Sequence, residues 1–387
     1  MTSPSTPSED ASARPPGLRD VLCEWGRIGC LGFGGPPTHI RLLRRLCVER
    51  RGWLRPGEFE DAIAVCNLLP GPASTQLAIY CAWRVRGRSG ALVGGAACIV
   101  PGLVLILALA ALFLAGSPPG WVRGAGAGAG GAVAAVAVHA GVSLLTPSWR
   151  RRRHTARWLG YVLAGLVAAA TVGPWLVLVL LGCGAVELCA RRLLPPGPVP
   201  GLAPAPLLTA GAVGAGGLLA LGWVALKVGA LSYGGGFVII PLMGADAVER
   251  HHWMTGAQFL NAVALGQITP GPVVQTVAVV GYAAAGLAGG VLASAVAFAP
   301  SFALVLFGAR HFDRLRDSAR ARALLDGAGP AAIGAILGSA LPLAMALSRP
   351  WQYAVLGGAA VLLFALRRGV VSTLLLAGLA GVLITLL

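Results

Sequence analysis

The stretch "NLLPGPASTQ", Asn67 to Gln76, decides how this chain folds. It lies in an apolar run, yet it carries two prolines around a glycine. Two hundred residues later comes "QITPGPVVQT", Gln267 to Thr276. Proline has no N–H and breaks the helical hydrogen-bond ladder. Glycine allows a tight turn and close backbone approach. Each Pro-Gly-Pro, at Pro70-Gly71-Pro72 and at Pro270-Gly271-Pro272, therefore ends one half-helix and begins another. Unpaired backbone at membrane depth is tolerated only where protein buries it or where it lines a wet cavity.

That the surroundings are a membrane follows from composition. Of the 387 residues, 56% are hydrophobic and only 11% are charged. A soluble domain carries about 25% charged residues, so this chain cannot clothe a globular surface. Residues 91–115 and 163–186 hold no ionisable group but a cysteine thiol. Runs of that length read as transmembrane helices. The eight cysteines form no C-x-x-C pair and read as small buried hydrophobes. No cofactor or metal is expected, and no G-x-x-x-x-G-K-[ST] phosphate loop is present.

Sliding the chain by 200 residues reveals a duplication. From Gly29 to Pro72, 16 of 44 positions are identical without a gap. Gly34 and Gly35 meet Gly234 and Gly235, Trp53 meets Trp253, and the two Pro-Gly-Pro motifs coincide. One residue is then dropped, and Gly87, Gly90 and Pro101 meet Gly286, Gly289 and Pro300. The domains expected are a disordered cytoplasmic tail at 1–20, a first transmembrane domain at 21–192, a Pro-rich linker at 193–206 and a second transmembrane domain at 207–387.

The net charge is +16, and Lys227 is the only lysine. Arginines cluster at 41–55, 84–88, 150–157 and 191–192, but in the second half at 310–322 and 367–368. Loops basic in one half are neutral in the other. Basic loops mark the cytoplasmic side, so the fold expected is an all-α polytopic membrane protein with two inverted-topology repeats. An additional crossing at residues 207–223 would turn the second half over. Both flanks of residues 58–83 are basic, which makes that segment re-entrant with Pro70-Gly71-Pro72 at its tip. Residues 257–282 should dip in from the other side. The alternative is a kinked helix that crosses.

The candidate site follows. A half-helix N-terminus presents free N–H groups and partial positive charge, which suits an oxyanion. Ser74, Thr75 and Gln76 follow the first break, and Gln275 and Thr276 follow the second. Asn67 and Gln267 precede them. Arg27 aligns with Lys227, and a cation in an apolar stretch is by default a functional residue. The competing reading is snorkelling to the headgroups. The expectation is that both tips and both cations converge near the midplane, where inverted-repeat carriers place substrate. Arg27→Gln or Lys227→Gln should then abolish transport while leaving membrane expression intact, and Arg86→Gln should matter much less. Carboxylates in the predicted spans have no counterpart in both halves, and His39 and His139 read as packing residues.

At these residues the chain resembles the chromate ion transporter (CHR) family. "FGGPPTHI" at 33–40, "LLPGP" at 68–72 and the glycine pattern at 87–102 resemble its first domain. "SYGGGFVIIPLM" at 232–243 and "ALGQITPGPV" at 264–273 resemble its second. The resemblance implies a multi-pass inner-membrane protein of the long, two-domain form that exports chromate and confers resistance. The partners implied are chromate or a similar oxyanion and the lipid bilayer, with no nucleic acid; a homodimer stays open. A carrier of sulfate or a related tetrahedral oxyanion is the alternative. A membrane-embedded enzyme acting on lipid phosphate is the remote one, since no nucleophile or metal-ligand cluster is visible.

Overall fold

The computed structural model describes residues 16–67, 69–116, 118–171, 176–191, 217–232, 239–312 and 318–387. Among these, all regular structure is helical. In repeat one the helices are α1 (Leu18–Leu31), α2 (Pro36–Arg44), α3 (Pro56–Cys66), α4 (Ala73–Phe113), α5 (Gly120–Arg151), α6 (Thr155–Thr171) and α7 (Leu176–Ala190). Repeat two provides α8 (Gly217–Leu231), α9 (Ile239–Gly244), α10 (Gly256–Ile268), α11 (Thr276–Gly308), α12 (Ala319–Met345), α13 (Pro350–Ala360) and α14 (Val370–Leu386). Six-residue π-helical turns, Arg45–Arg50 and Ala245–Arg250, follow α2 and α9 at matching places.

Local chemistry sets the helix starts. Pro36, Pro56 and Pro350 stand in the first turn of α2, α3 and α13, where a missing N–H costs nothing. Thr255 caps α10 by accepting from Gln258 N (3.2 Å) while Gln258 Oε1 accepts from Thr255 N (2.8 Å), a reciprocal capping box. Among the described residues, four helices are long and apolar enough to cross a membrane: α4, α5, α12 and the 273–311 stretch that contains α11. Large apolar side chains such as Val104, Leu219, Phe307 and Leu379 are exposed. In water that surface would be untenable; against lipid it is the expected one.

Both long broken helices reverse direction. In α4 the backbone leaves helical geometry at Arg86 and Gly87, and Gly87 adopts φ 64° and ψ −152°. In α11 it does so at Ala285 and Gly286, with φ 62° and ψ −154° at the glycine. That region of backbone space belongs to glycine. The chain then folds back on itself, so that Gly94 lies on the Ala82 side chain and Gly281 on Ala293. The segment before each reversal is short. At 1.5 Å per residue, the 11-residue α3 reaches only about 16 Å, half a bilayer. Arg84, near the end of the first limb of α4, pairs with Glu58 at the start of α3, so the chain returns to the side it entered and the first repeat is re-entrant at Pro70-Gly71-Pro72.

The repeats run in opposite directions. Gly95 lies against Phe302, and Gly290 lies against Leu107. The second limbs of α4 and α11 are repeat mates, and these two contacts make them antiparallel. The halves also interlock. The long α12 of repeat two is embraced by α6 and α7 of repeat one, and α5 by α13 and α14 of repeat two. Glycines permit the close approach: Gly165 and Gly334 sit on the carbonyls of Ala331 and Val162, and Gly128 and Gly381 on those of Ala377 and Gly124.

One expectation needs correction. Residues 217–223 do not belong to an additional crossing. They open α8, which runs unbroken to Leu231 and is the repeat mate of α1. No helix breaker separates Trp223 from Val224, so the helix continues. The rest of that expected crossing, 207–216, lies outside the described residues. So do the disordered tail apart from its last few positions and the linker at 193–206.

The topology predicts a labelling pattern. A cysteine at position 45 should react with an impermeant thiol reagent only from the cytoplasmic side, and one at position 252 only from outside. Reaction of both from outside would overturn the inversion.

Candidate functional site

Each Pro-Gly-Pro tip is seated on the opposite repeat. The second tip packs Pro270 against Gly102, the residue after Pro101 of α4. The Gly271 N–H donates to the Gly32 carbonyl at the end of α1 (3.2 Å). The first tip mirrors this. Gly71 lies against Ser301, the residue after Pro300 of α11, and against the Gly229 carbonyl of α8. Gly102 and Ser301 are repeat mates. Each tip thus meets the proline-containing second limb of the other half's long helix. Gly71 and Gly271 adopt φ 116° and 111°, which a side chain would strain.

The polar residues predicted at the tips are buried there: Ser74, Thr75, Gln76, Gln267, Gln275 and Thr276 are all at most 7% exposed. Their roles divide. Gln76 Nε2 donates to the Pro70 carbonyl (2.7 Å), and its structural mate Gln275 donates to the Ile99 carbonyl across the repeat boundary (2.6 Å). These amides clasp the tips. Thr276 Oγ1 donates to the Val273 carbonyl (2.8 Å). By contrast Thr75 Oγ1, Gln267 Nε2, Gln76 Oε1, Gln275 Oε1 and Ser301 Oγ are buried without a hydrogen-bond partner. Unpaired buried polar atoms are rare and each needs a reason; here they gather around the two tips.

The tips differ in access. Residues Pro270 to Thr276 are entirely buried, whereas Asn67 and Pro70 of the first tip are exposed. Asn67 and Gly71 line a cavity of about 540 Å³. Arg151, Arg152, Arg153, Arg157, Arg191 and Arg322 line the same cavity. The basic clusters at 150–157 and 191–192, read in the sequence as orientation signals, thus converge with Arg322 of repeat two.

The two predicted cations do not reach the tips together. Arg27 is exposed on the outer face of α1 and lines a small cleft with Arg45 and Arg50. Gly29, on another face of α1, packs on the carbonyls of Ala97 and Cys98. Lys227 is drawn inward instead. Its Nζ lies 2.5 Å from Asp246 Oδ2, with side-chain exposures of 17% and 4%. Asp246 Oδ1 is buried without a partner. His251, whose backbone N–H donates to the Asp246 carbonyl (3.0 Å), closes that turn. Burial holds its imidazolium below the usual range, so it is neutral at pH 7. Repeat one carries the reverse arrangement: Glu24 of α1 accepts from Arg50 (3.2 Å) and Arg51 (2.7 Å) beside the first π-helical turn.

The Lys227–Asp246 pair was missed because the repeat mate of Asp246 is Leu46, so symmetry did not point to it. Of the two Gly-Gly turns, Gly34 and Gly35 take positive φ, and a Cβ on Gly35 would lie 3.9 Å from Val273 of the second tip. Gly234 and Gly235 lie outside the described residues.

An all-α membrane protein built of two inverted repeats, each with a helix broken at membrane depth, has the architecture of a secondary transporter. Comparison with known proteins narrows this. The family described as "Chromate transporter" matches twice, over residues 19–188 and 219–382. A chromate transport protein of Cupriavidus metallidurans is 31% identical over 89% of this chain and 88% of its own length. One from Pseudomonas aeruginosa is 29% identical over 87% and 83%, and a probable one from Synechococcus elongatus 29% over 84% of each. No solved structure matches. The chain belongs to the chromate transporter family.

Proposed function

We propose that this chain exports chromate, or a tetrahedral dianion of the same kind, across the inner membrane, as a carrier and not as an enzyme. The observation that carries this reading is the unequal access of the two tips. The first opens into an arginine-lined cavity, while the second is buried against α1 and α4. An inverted-repeat carrier that exposes one tip at a time alternates access by exchanging which tip is seated. The half-helix that starts at Ala73 then offers its free N–H groups, with Ser74 and Thr75, to an oxyanion arriving from the cytoplasm. The similarity to chromate transport proteins supports chromate as the substrate.

Energetics favour the outward direction. Moving one charge across 100 mV is worth about 2.3 kcal/mol, so a dianion leaving an inside-negative cell gains roughly 4.6 kcal/mol. Everted vesicles that contain the protein should accumulate labelled chromate, and more of it when the lumen is made positive. Accumulation of sulfate but not chromate would shift the substrate assignment. Accumulation of neither would overturn the reading. Arg86→Gln should leave the rate within about twofold, since Arg86 is exposed, lines neither cavity and has an extended φ of −142° that any residue adopts.

A further inference from the structure

The arginine cavity carries an inference that rests on the oxyanion reading above. Among the described residues, six arginines line it, against two carboxylates, Glu187 and Asp326. Four come from the basic run at 151–157, and Arg191, just past α7, and Arg322 of α12 join them only in the fold. Glu187 lies at its wall, 3% exposed. It accepts hydrogen bonds from Tyr161 Oη (2.9 Å) and from Arg191 Nε (2.8 Å). Arg157 Nη2 also donates to it (3.4 Å). Arg191 also reaches Asp326 (2.7 Å). Three donors of two kinds, two on α6 and one just past α7, thus enclose one carboxylate.

We propose that this cavity is a capture site for a tetrahedral oxyanion, occupied before the anion reaches the first tip, and that Glu187 is an internal stand-in for that anion. A carboxylate and a tetrahedral oxyanion ask the same thing of a guanidinium: two parallel N–H donors in a fork. Arg157 and Arg191 are pre-oriented by Glu187 at the geometry an oxyanion uses. The charge of Glu187 and Asp326 does not neutralise the cluster. Arg151 and Arg152 bond the carbonyls of Pro147 and Trp149, which leaves their charge uncompensated by those partners. The excess attracts a dianion, while the carboxylate within the cluster keeps its hold weak enough for release toward Asn67 and Gly71.

The same chemistry would suit the phosphate headgroup of an anionic lipid, so the experiment separates the two. The full chain in nanodiscs of zwitterionic lipid is titrated with labelled chromate, and again with anionic lipid included. Wild type should bind saturably in both. Arg157→Gln and Arg191→Gln should each weaken binding about tenfold, the loss of one charge-assisted bond. Arg191→Lys, which keeps charge but not the fork, should fall between. Glu187→Gln should bind several-fold tighter and release more slowly; its gain cannot come from misfolding. Arg88→Gln, outside the cavity, should bind as wild type. If the wild type binds chromate and both arginine variants bind it equally well, the capture site is wrong and the transport reading stands. If anionic lipid abolishes chromate binding to the wild type, and Arg191→Gln ceases to retain that lipid, the cavity is a headgroup site instead. If the wild type neither binds nor transports chromate or sulfate, the functional reading itself falls, and the capture site with it.

Discussion

Lys227→Gln will abolish chromate transport and will also lower the amount of folded protein in the membrane. The second effect reverses what the sequence implies. Read alone, Lys227 is a solitary cation in an apolar segment, and its loss should spare expression. In the structure its ammonium lies 2.5 Å from Asp246, whose side chain is 4% exposed. Removing one partner of a buried pair leaves the other charge unpaired, at a cost of about 3–5 kcal/mol. Asp246→Asn should therefore lower folded protein in the same way, since it strands the ammonium. The double variant Lys227→Gln/Asp246→Asn removes both charges and should recover most of the folded protein. Fluorescence-detected size exclusion of the four proteins closes the cycle, and the recovery measures the coupling directly. Transport then separates two roles. If Lys227 lends its charge to the dianion during the cycle, the double variant is folded but inactive, and that is the expected result. A double variant that transports at the native rate would reduce the pair to a structural contact.

What the sequence disclosed and what it hid divide along physical lines. The duplication, the inversion and the breaks were legible because each is written in consecutive residues: a repeated Pro-Gly-Pro, matched glycines, and arginines on one side only. The reversals at Gly87 and Gly286 were implicit in the alignment that pairs them. The seats of the tips were not legible. Nothing in "PGPASTQ" says that Gly71 will lie on Ser301, because that contact depends on how two interlocked halves cross. The arginine cavity was hidden for the same reason. Arg157, Arg191 and Arg322 are far apart in the chain and meet only because α12 lies between α6 and α7. Charge counting found the arginines and gave them one role, orientation, which is compatible with the second. The pairing of Arg27 with Lys227 misled, since equivalent positions in a duplicated chain need not keep equivalent partners: Leu46 stands where Asp246 holds Lys227.

Gly102→Ala should impair transport at least tenfold, whereas Ser301→Ala should not, although the two positions are repeat mates. The second tip sits so close to Gly102 that a Cβ there would overlap the Pro270 carbonyl and come within 2.5 Å of Gln275 Oε1. Neither neighbour can yield cheaply. The Pro270 carbonyl is main chain, and the Gln275 amide is bound to the Ile99 carbonyl (2.6 Å). The first tip makes no such demand, because its seat already carries a side chain: Ser301 Oγ lies 3.1 Å from where a Cβ on Gly71 would be. Ser301→Ala only trims that seat. Overpacking typically costs about 1–3 kcal/mol, and here the cost falls on one conformation, the one in which the second tip is seated. A bias of that size shifts a two-state equilibrium by about 5- to 150-fold. Gly102→Ala should thus favour the state in which the second tip is released, and a carrier held in one state turns over slowly even when it folds and inserts normally. The shift has its own readout. With a cysteine at position 267, next to the tip and buried in the seated state, labelling by an impermeant reagent from outside should rise in the Gly102→Ala background. Unchanged labelling together with unchanged transport would mean that the seat at Gly102 is no part of the transport cycle.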